Sequence, residues 1–196
     1  LYPYSKHVLK LDLPGLFNVY NALAAFSLIK KATGTSDEII YSALNKSSAA
    51  FGRSEEIDFE GRSLLILLIK NPTGLNQIIQ TYLSREKDRL LVFVINDNYA
   101  DGRDVSWLWD AALEDLKNYK GKIIVGGSRA NDMALRLKYA GLDDILIESD
   151  NNKLTEAILS SSTKRSKIFL LPTYTAMLDL RAKLTANDTK TKEYWK

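Results

Sequence analysis

The chain has 196 residues, 45% of them hydrophobic, enough to bury the core of one domain with an appendage. Lys and Arg number 27 against 24 acids, and a net charge of +3 spread along the chain argues against a dedicated nucleic-acid surface; the basic run Lys164 to Lys167 reads as a solvated face. With no cysteine and one histidine, His7, the chain excludes disulfides and thiolate nucleophiles and has too few parts for a histidine metal cluster or an internal Ser-His-Asp triad.

No apolar run reaches the roughly 20 residues of a membrane span. The opening LYPYSKHVLK has no signal-peptide organisation, so the expectation is a cytoplasmic soluble domain.

His7 to Leu13 alternates and is closed by Pro14-Gly15, which predicts a strand ending in a turn. Asn18 to Ala32 is rich in Ala and Leu and predicts a helix stopped by Gly34. Asp37 to Leu44 continues as a second helix, capped by Ser36. A domain junction falls at Phe51-Gly52-Arg53, dividing the chain into residues 1–50 and 51–196.

Beyond it the pattern turns to strands. Glu55 to Phe59 and Ser63 to Ile69 flank Glu60-Gly61, a hairpin signal. A helix follows from Leu75 to about Ser84, and then the unbroken apolar run Leu90 to Ile95 predicts a buried parallel strand. Trp107 to Tyr119 has partly helical spacing. Three strand and helix units complete the chain: Lys122 to Val125 with Arg129 to Tyr139, Ile145 to Ile147 with Lys153 to Ser160, and Lys167 to Leu171 with Thr175 to Leu184. This alternation predicts an α/β fold, a Rossmann-like and mostly parallel sheet with helices on both faces. The polar tail runs from Asn187 to Lys196.

Chemistry is expected just past the strand Leu90 to Ile95. Asp97, Asp101 and Asp104 fall there within eight residues, beside Asn96, Asn98, Gly102 and Arg103. The C-terminal edge of an open α/β sheet is where ligand-binding loops converge. The same residues also suit a turn, because Asp and Asn side chains bond nearby backbone and Gly supplies positive φ. Gly126-Gly127-Ser128 reads as a tight βα turn; it matches neither GxGxxG nor GxxxxGK[ST], and no P-loop occurs in the chain. Asn18 and Asn21 sit three apart at the start of the first helix. Asn71 stands before Pro72, where proline suits a first helical position.

Three segments carry a resemblance that runs across nearly the whole chain in order. NDNYADGRDVSWLWD, ending at Asp110, resembles the signature of the MurT family, the Mur-ligase-like subunits of lipid II isoglutaminyl synthases. LPGLFNVYNALAA at Leu13 to Ala25 is similar to the end of the Mur ligase central domain. AFGRSE at Ala50 to Glu55, followed by IKNPTGLNQ at Ile69 to Gln77, is similar to the MurT form of the C-terminal domain. The resemblance implies a Mur ligase C-terminal domain over 51–196, preceded by a small helical remnant of the central, ATP-binding domain over 1–50.

It further implies an ATP-dependent carbon–nitrogen ligase that takes glutamine as amido donor. The Mur-ligase-like subunit uses ATP with Mg2+ to activate the D-glutamate α-carboxylate of the lipid II stem peptide. A GatD-type, class I glutaminase partner forms a heterodimer with it and releases the ammonia that yields D-isoglutamine, at the inner face of the membrane. Such a partner carries cysteine and histidine and borrows an aspartate, which fixes the histidine tautomer and stabilises the imidazolium. On this sequence the choice is Asp104, then Asp101, then Asp97, the last lying nearest the strand. Arg103 could pair with one of these acids, and Trp107 and Trp109 could serve as core or as partner-facing anchors. The resemblance assigns Asn18 and Asn21 to adenine, with Phe17 where such ligases carry histidine, Arg53 to the nucleotide, and Asn71 to a ribose hydroxyl. No metal ligand is expected here. Zinc and the P-loop belong to the central domain of the family, so the sequence reads as a piece of a longer protein, silent in catalysis by itself. Two rivals stand beside this reading: an amino-acid-adding Mur ligase, and a non-catalytic nucleotide-binding scaffold domain.

Overall fold

The structure is a computed structural model that describes residues 8–11, 13–47, 53–86 and 88–184. His7, Phe51, Gly52, the side chain of Arg53 and the tail from Asn187 lie outside the described residues. The chain divides into two compact units, Leu1–Ala49 and Ala50–Lys196.

In the first unit α1 spans Leu16–Thr33 and α2 spans Asp37–Asn45. Gly34 ends α1 in the left-handed region at φ 67°, with its N–H on the Lys30 carbonyl at 3.1 Å. Ser36 occupies the position before α2 with extended backbone, yet its hydroxyl makes no capping bond. The start of α2 carries Asp37 and Glu38, whose charge suits the helix dipole, and Asp37 pairs with Lys30 at 2.7 Å. Phe26 stacks on Tyr41 with centroids 5.0 Å apart. Of the strand expected over His7 to Leu13, His7 and Asp12 lie outside the described residues, and the described residues 8–11 have no regular structure. Alternation makes a strand only where a neighbouring strand takes up its backbone hydrogen bonds.

In the second unit β1 (Arg53–Phe59) and β2 (Arg62–Leu67) form an antiparallel hairpin. Glu60 and Gly61 both have positive φ, 53° and 76°, the turn whose twist matches that of its strands. β3 (Leu90–Val94), β4 (Ile123–Gly126), β5 (Ile145–Ile147) and β6 (Lys167–Pro172) complete a sheet in the order β1-β2-β6-β3-β4-β5, in which every pairing after the hairpin is parallel. The helices are α3 (Pro72–Ile78), extended by a π-turn over Ile79–Leu83, then α4 (Ala130–Tyr139), α5 (Asn151–Ser160) and α6 (Tyr174–Leu184).

All five residues of β3 are buried, and their alternation feeds two cores. Leu91 and Phe93 join Leu75, Met133 and Leu137 from α3 and α4. Leu90, Val92 and Val94 join Leu154, Ile158, Met177 and Leu180 from α5 and α6. Each such side chain contributes about 1.5–3 kcal/mol, so helices are held on both faces, as the alternating sequence predicts.

The stretch Trp107 to Tyr119 forms two 3-10 turns, Ser106–Trp109 and Leu113–Leu116, in place of a continuous helix. The cause lies in Arg136 and Asn76. The buried Arg136 guanidinium donates to the carbonyls of Leu108 and Ala111, at 3.0 and 2.7 Å, and the Asn76 amide oxygen accepts the Ala112 N–H at 2.7 Å. Groups that a helix would bond internally are thereby taken up by side chains.

Candidate functional site

Where parallel strands end, backbone groups lose their ladder partners, and polar side chains must replace them. Asn96, nearly buried after β3, does this for three strand ends. Its N–H donates to Thr173 Oγ1 at 3.0 Å, its Nδ2 donates to Thr175 Oγ1 at 3.1 Å, and its Oδ1 accepts the Ser128 N–H at 3.0 Å. Gly127 makes this approach possible: at φ 86°, a Cβ there would stand 2.4 Å from the Ile95 carbonyl oxygen. The N–H groups of Ser128, Arg129 and Ala130 bond to Asn96, Ile95 and Gly127 respectively. The Gly126-Gly127-Ser128 segment is therefore a tight turn, with those donors already used.

The three acids differ in what they do. Asp97 accepts from Ser128 Oγ at 2.9 Å and from Arg129 Nη1 at 3.1 Å, and these two partners, in that order, hold its carboxyl below the usual carboxylate range. Arg129 turns its remaining edge to Asp132 at 2.8 and 2.9 Å; the two carboxylates, Asp132 first, raise its already high pKa. Asp101 is buried. Its Oδ1 accepts the Thr175 N–H at 2.7 Å, and its Oδ2 accepts the Thr175 hydroxyl at 2.6 Å and the Asn98 N–H at 3.1 Å. Asp104 is exposed, and its Oδ1 accepts the Ser106 N–H at 2.8 Å. The Ser106 side chain and then its N–H hold this carboxyl below its ordinary value. Arg103 makes no ion pair with any of the three acids.

The loop bearing Asp104 is clamped on both sides. Asp101 fastens one side to α6 through Thr175. On the other, Arg136 grips Leu108 and Ala111 and pairs with Glu114 at 2.8 Å. Trp107 packs against the core, whereas Trp109 is half-exposed, edge-on to Tyr139 at 5.5 Å, with the Arg136 guanidinium 5.6 Å from its ring centroid. The two tryptophans thus divide between core and surface.

The other expected residues are placed as follows. Asn18 donates Nδ2 to the Pro14 carbonyl at 2.8 Å, and Asn21 is exposed one turn along α1. Asn71 caps α3 before Pro72, its Oδ1 accepting the Gly74 N–H at 2.8 Å, which leaves Nδ2 as the group it can offer. The Arg53 side chain lies outside the described residues. Among the described residues no three His, Asp or Glu side chains gather as a metal-binding group. Sequence reasoning did not single out Arg129, Asp132, Arg136, Thr173 or Thr175. Thr173 and Thr175, polar residues directly after a buried strand, are the available signal, since that is where edge hydrogen bonds must be met.

The parallel order, the strand-end loop and the preceding helical pair define a Mur-ligase-type C-terminal fold. A solved MurF structure from Acinetobacter baumannii superposes with a TM-score of 0.67 at 20% identity, over 91% of this chain and 40% of that one. The family model described as MurT ligase C-terminal matches residues 68–177. This chain belongs to that family. It is 34% identical over 93% of its length to the MurT subunit of lipid II isoglutaminyl synthase (glutamine-hydrolyzing) from Streptococcus pneumoniae, and 33% identical over 89% to the Staphylococcus aureus counterpart. It spans 41% and 39% of those two relatives, about two fifths of their length.

Proposed function

We propose that this chain is the C-terminal part of the Mur-ligase-like subunit of a glutamine-dependent lipid II isoglutaminyl synthase, with residues 1–50 as the end of its central domain. Its role there is to lend Asp104 to a partner glutaminase. The observation that carries this reading is an exposed carboxylate whose recorded partners all come from Ser106, two residues away, on a loop fastened by Asp101 and by Arg136. A carboxylate so held can accept the Nδ1–H of the partner's histidine, keep Nε2 facing the thiol, and stabilise the imidazolium once the thiol proton has moved. Asp101 suits this role less, because both of its oxygens already accept hydrogen bonds inside the domain.

The reaction completed by the whole enzyme is amidation of the D-glutamate α-carboxylate of the lipid II stem peptide. ATP supplies the activation, Mg2+ accompanies its phosphates, and glutamine-derived ammonia is the nucleophile. Asn21, the Asn71 amide nitrogen and Arg53 are this chain's contributions toward the nucleotide, with Asn18 offering its carbonyl oxygen while its Nδ2 holds Pro14. The setting is the cytoplasmic face of the membrane, and among the described residues no helix is long and apolar enough to cross one. Replacing Asp104 by Asn in the full complex and following glutamine hydrolysis tests the reading.

A further inference from the structure

The topology that gathers the candidate site on one edge of the sheet gathers the strand beginnings on the other. β6, β3 and β4 are adjacent and parallel, so the residues leading into them lie side by side. There Lys120, Lys122 and Lys167 line an open cavity of about 510 Å3 together with Ser161, Ser162 and Ser166. Asp88 is the one carboxylate among the lining residues, and Arg89, also on the wall, is paired with Glu86 and lies 4.9 Å from the Phe169 ring centroid. The three lysines make no ion pair with a described residue.

The cavity wall is built rather than incidental. Arg62 braces the serine segment by donating to Ser162 Oγ at 2.7 Å and to the Ser162 carbonyl at 3.1 Å. Gly121 lies so close to Arg89 that a Cβ would meet its carbonyl oxygen at 1.9 Å. The turn into β6 adds Lys164 and Arg165, both exposed, and is pinned by the Arg165 N–H on the Gly61 carbonyl at 2.7 Å. Five exposed cations on one edge, with a single carboxylate among the cavity residues, repel one another until an anion arrives. Mobile ammonium groups match phosphate oxygens without demanding one shape, and the Ser161 hydroxyl stands beside them, whereas the Ser162 hydroxyl already donates to the Ile158 carbonyl at 2.6 Å. An open cavity suits groups presented at a surface better than an enclosed small molecule.

We propose that this edge docks on the phosphodiester headgroups of an anionic bilayer. The inference rests on the proposed function, in which the substrate is carried by a lipid, and names the surface that brings the domain to it. At about 3.3 Å per residue the strands set this edge on the order of 15 Å from the loop bearing Asp104. Membrane contact at one edge therefore leaves the other free for the glutaminase.

The test is co-sedimentation of the full-length protein with vesicles of equal parts phosphatidylglycerol and phosphatidylcholine, beside vesicles of phosphatidylcholine alone. The wild type should partition onto the anionic vesicles and be released by salt. The Lys120→Ser, Lys122→Ser, Lys167→Ser triple variant should partition about a hundredfold less, roughly fivefold per lysine. Its unfolding midpoint should match wild type, since the three side chains are exposed. Asp104→Asn should bind vesicles as wild type does, so a failure here and a failure of the triad assignment are separable. Equal partitioning of wild type and triple variant, or equal binding to both vesicle types, overturns the proposal. So does lysine-dependent binding of inorganic pyrophosphate with no vesicle preference, which would make the cavity a site for a soluble phosphate.

Discussion

Thr175 gives both of its donors to Asp101: the backbone N–H to Oδ1 at 2.7 Å and the hydroxyl to Oδ2 at 2.6 Å. The same hydroxyl oxygen accepts from Asn96 and Asn98, so one side chain ties the loop after β3 to the start of α6. Thr175→Val keeps the shape, removes the hydroxyl, and leaves a buried carboxylate and two amides short of a partner. We expect a loss of about 1–3 kcal/mol in urea unfolding, with faster hydrogen exchange confined to the Asn98 to Asp104 loop. An unchanged midpoint and unchanged exchange would mean that the latch holds nothing.

Arg136 plays the corresponding part on the far side of the loop. Its guanidinium is buried and serves the carbonyls of Leu108 and Ala111. Arg136→Met fills similar space but supplies no donors, and the expected cost is about 2–4 kcal/mol. Most of that comes from the orphaned carbonyls, because Glu114 on the third contact is solvent-exposed and its pairing is worth little. Adding Glu114→Ala to wild type should therefore cost less than about 1 kcal/mol.

Gly127 has no room for a side chain. Gly127→Ala would set a methyl 2.4 Å from the Ile95 carbonyl oxygen at a φ of 86°. We expect about 3 kcal/mol or more of destabilisation by thermal or denaturant melting. Gly141→Ala is the control: its φ of 83° carries the same backbone penalty, but nothing lies within 4 Å of the added carbon, so its cost should be smaller.

The Asp97, Arg129 and Asp132 cluster predicts a pH dependence. Both carboxyls are held below their ordinary values in the folded protein, Asp97 chiefly by Ser128 and then Arg129, Asp132 chiefly by Arg129. At pH near 4 the unfolded chain therefore binds more protons at these sites than the folded one. Their contribution is complete above the unfolded pKa and is lost as pH falls through the lower folded values. The urea midpoint should drop below about pH 4, and Arg129→Met should flatten that part of the profile. A midpoint equally acid-sensitive in both proteins would remove the cluster from the explanation.

How much was legible from the residues follows a physical line. β3 could be read because five consecutive apolar residues have few other uses, and the Glu60-Gly61 turn because Gly61 adopts positive φ freely between two strand-like runs. The segment after Trp107 has part-helical spacing, and spacing alone cannot reveal that Arg136, more than twenty residues later, captures the carbonyls a helix would need. The three acids were visible together, but their roles were not. Burial and partners separate them: Asp101 is consumed by Thr175, 74 residues away in sequence, whereas Asp104 bonds only its near neighbour Ser106. The alternation around Val8 to Lys10 is not matched by a strand at the described residues, because periodicity says nothing about whether a second strand is at hand.

The sharpest test concerns Asp104. In the full-length protein paired with the glutaminase proposed above, Asp104→Asn should lower glutamine hydrolysis by roughly 10^3 to 10^4-fold. Heterodimer formation and the unfolding midpoint should match wild type, because the side chain is exposed and Asn can still accept the Ser106 N–H. Glutamine hydrolysis at the wild-type rate in an intact heterodimer would contradict the account.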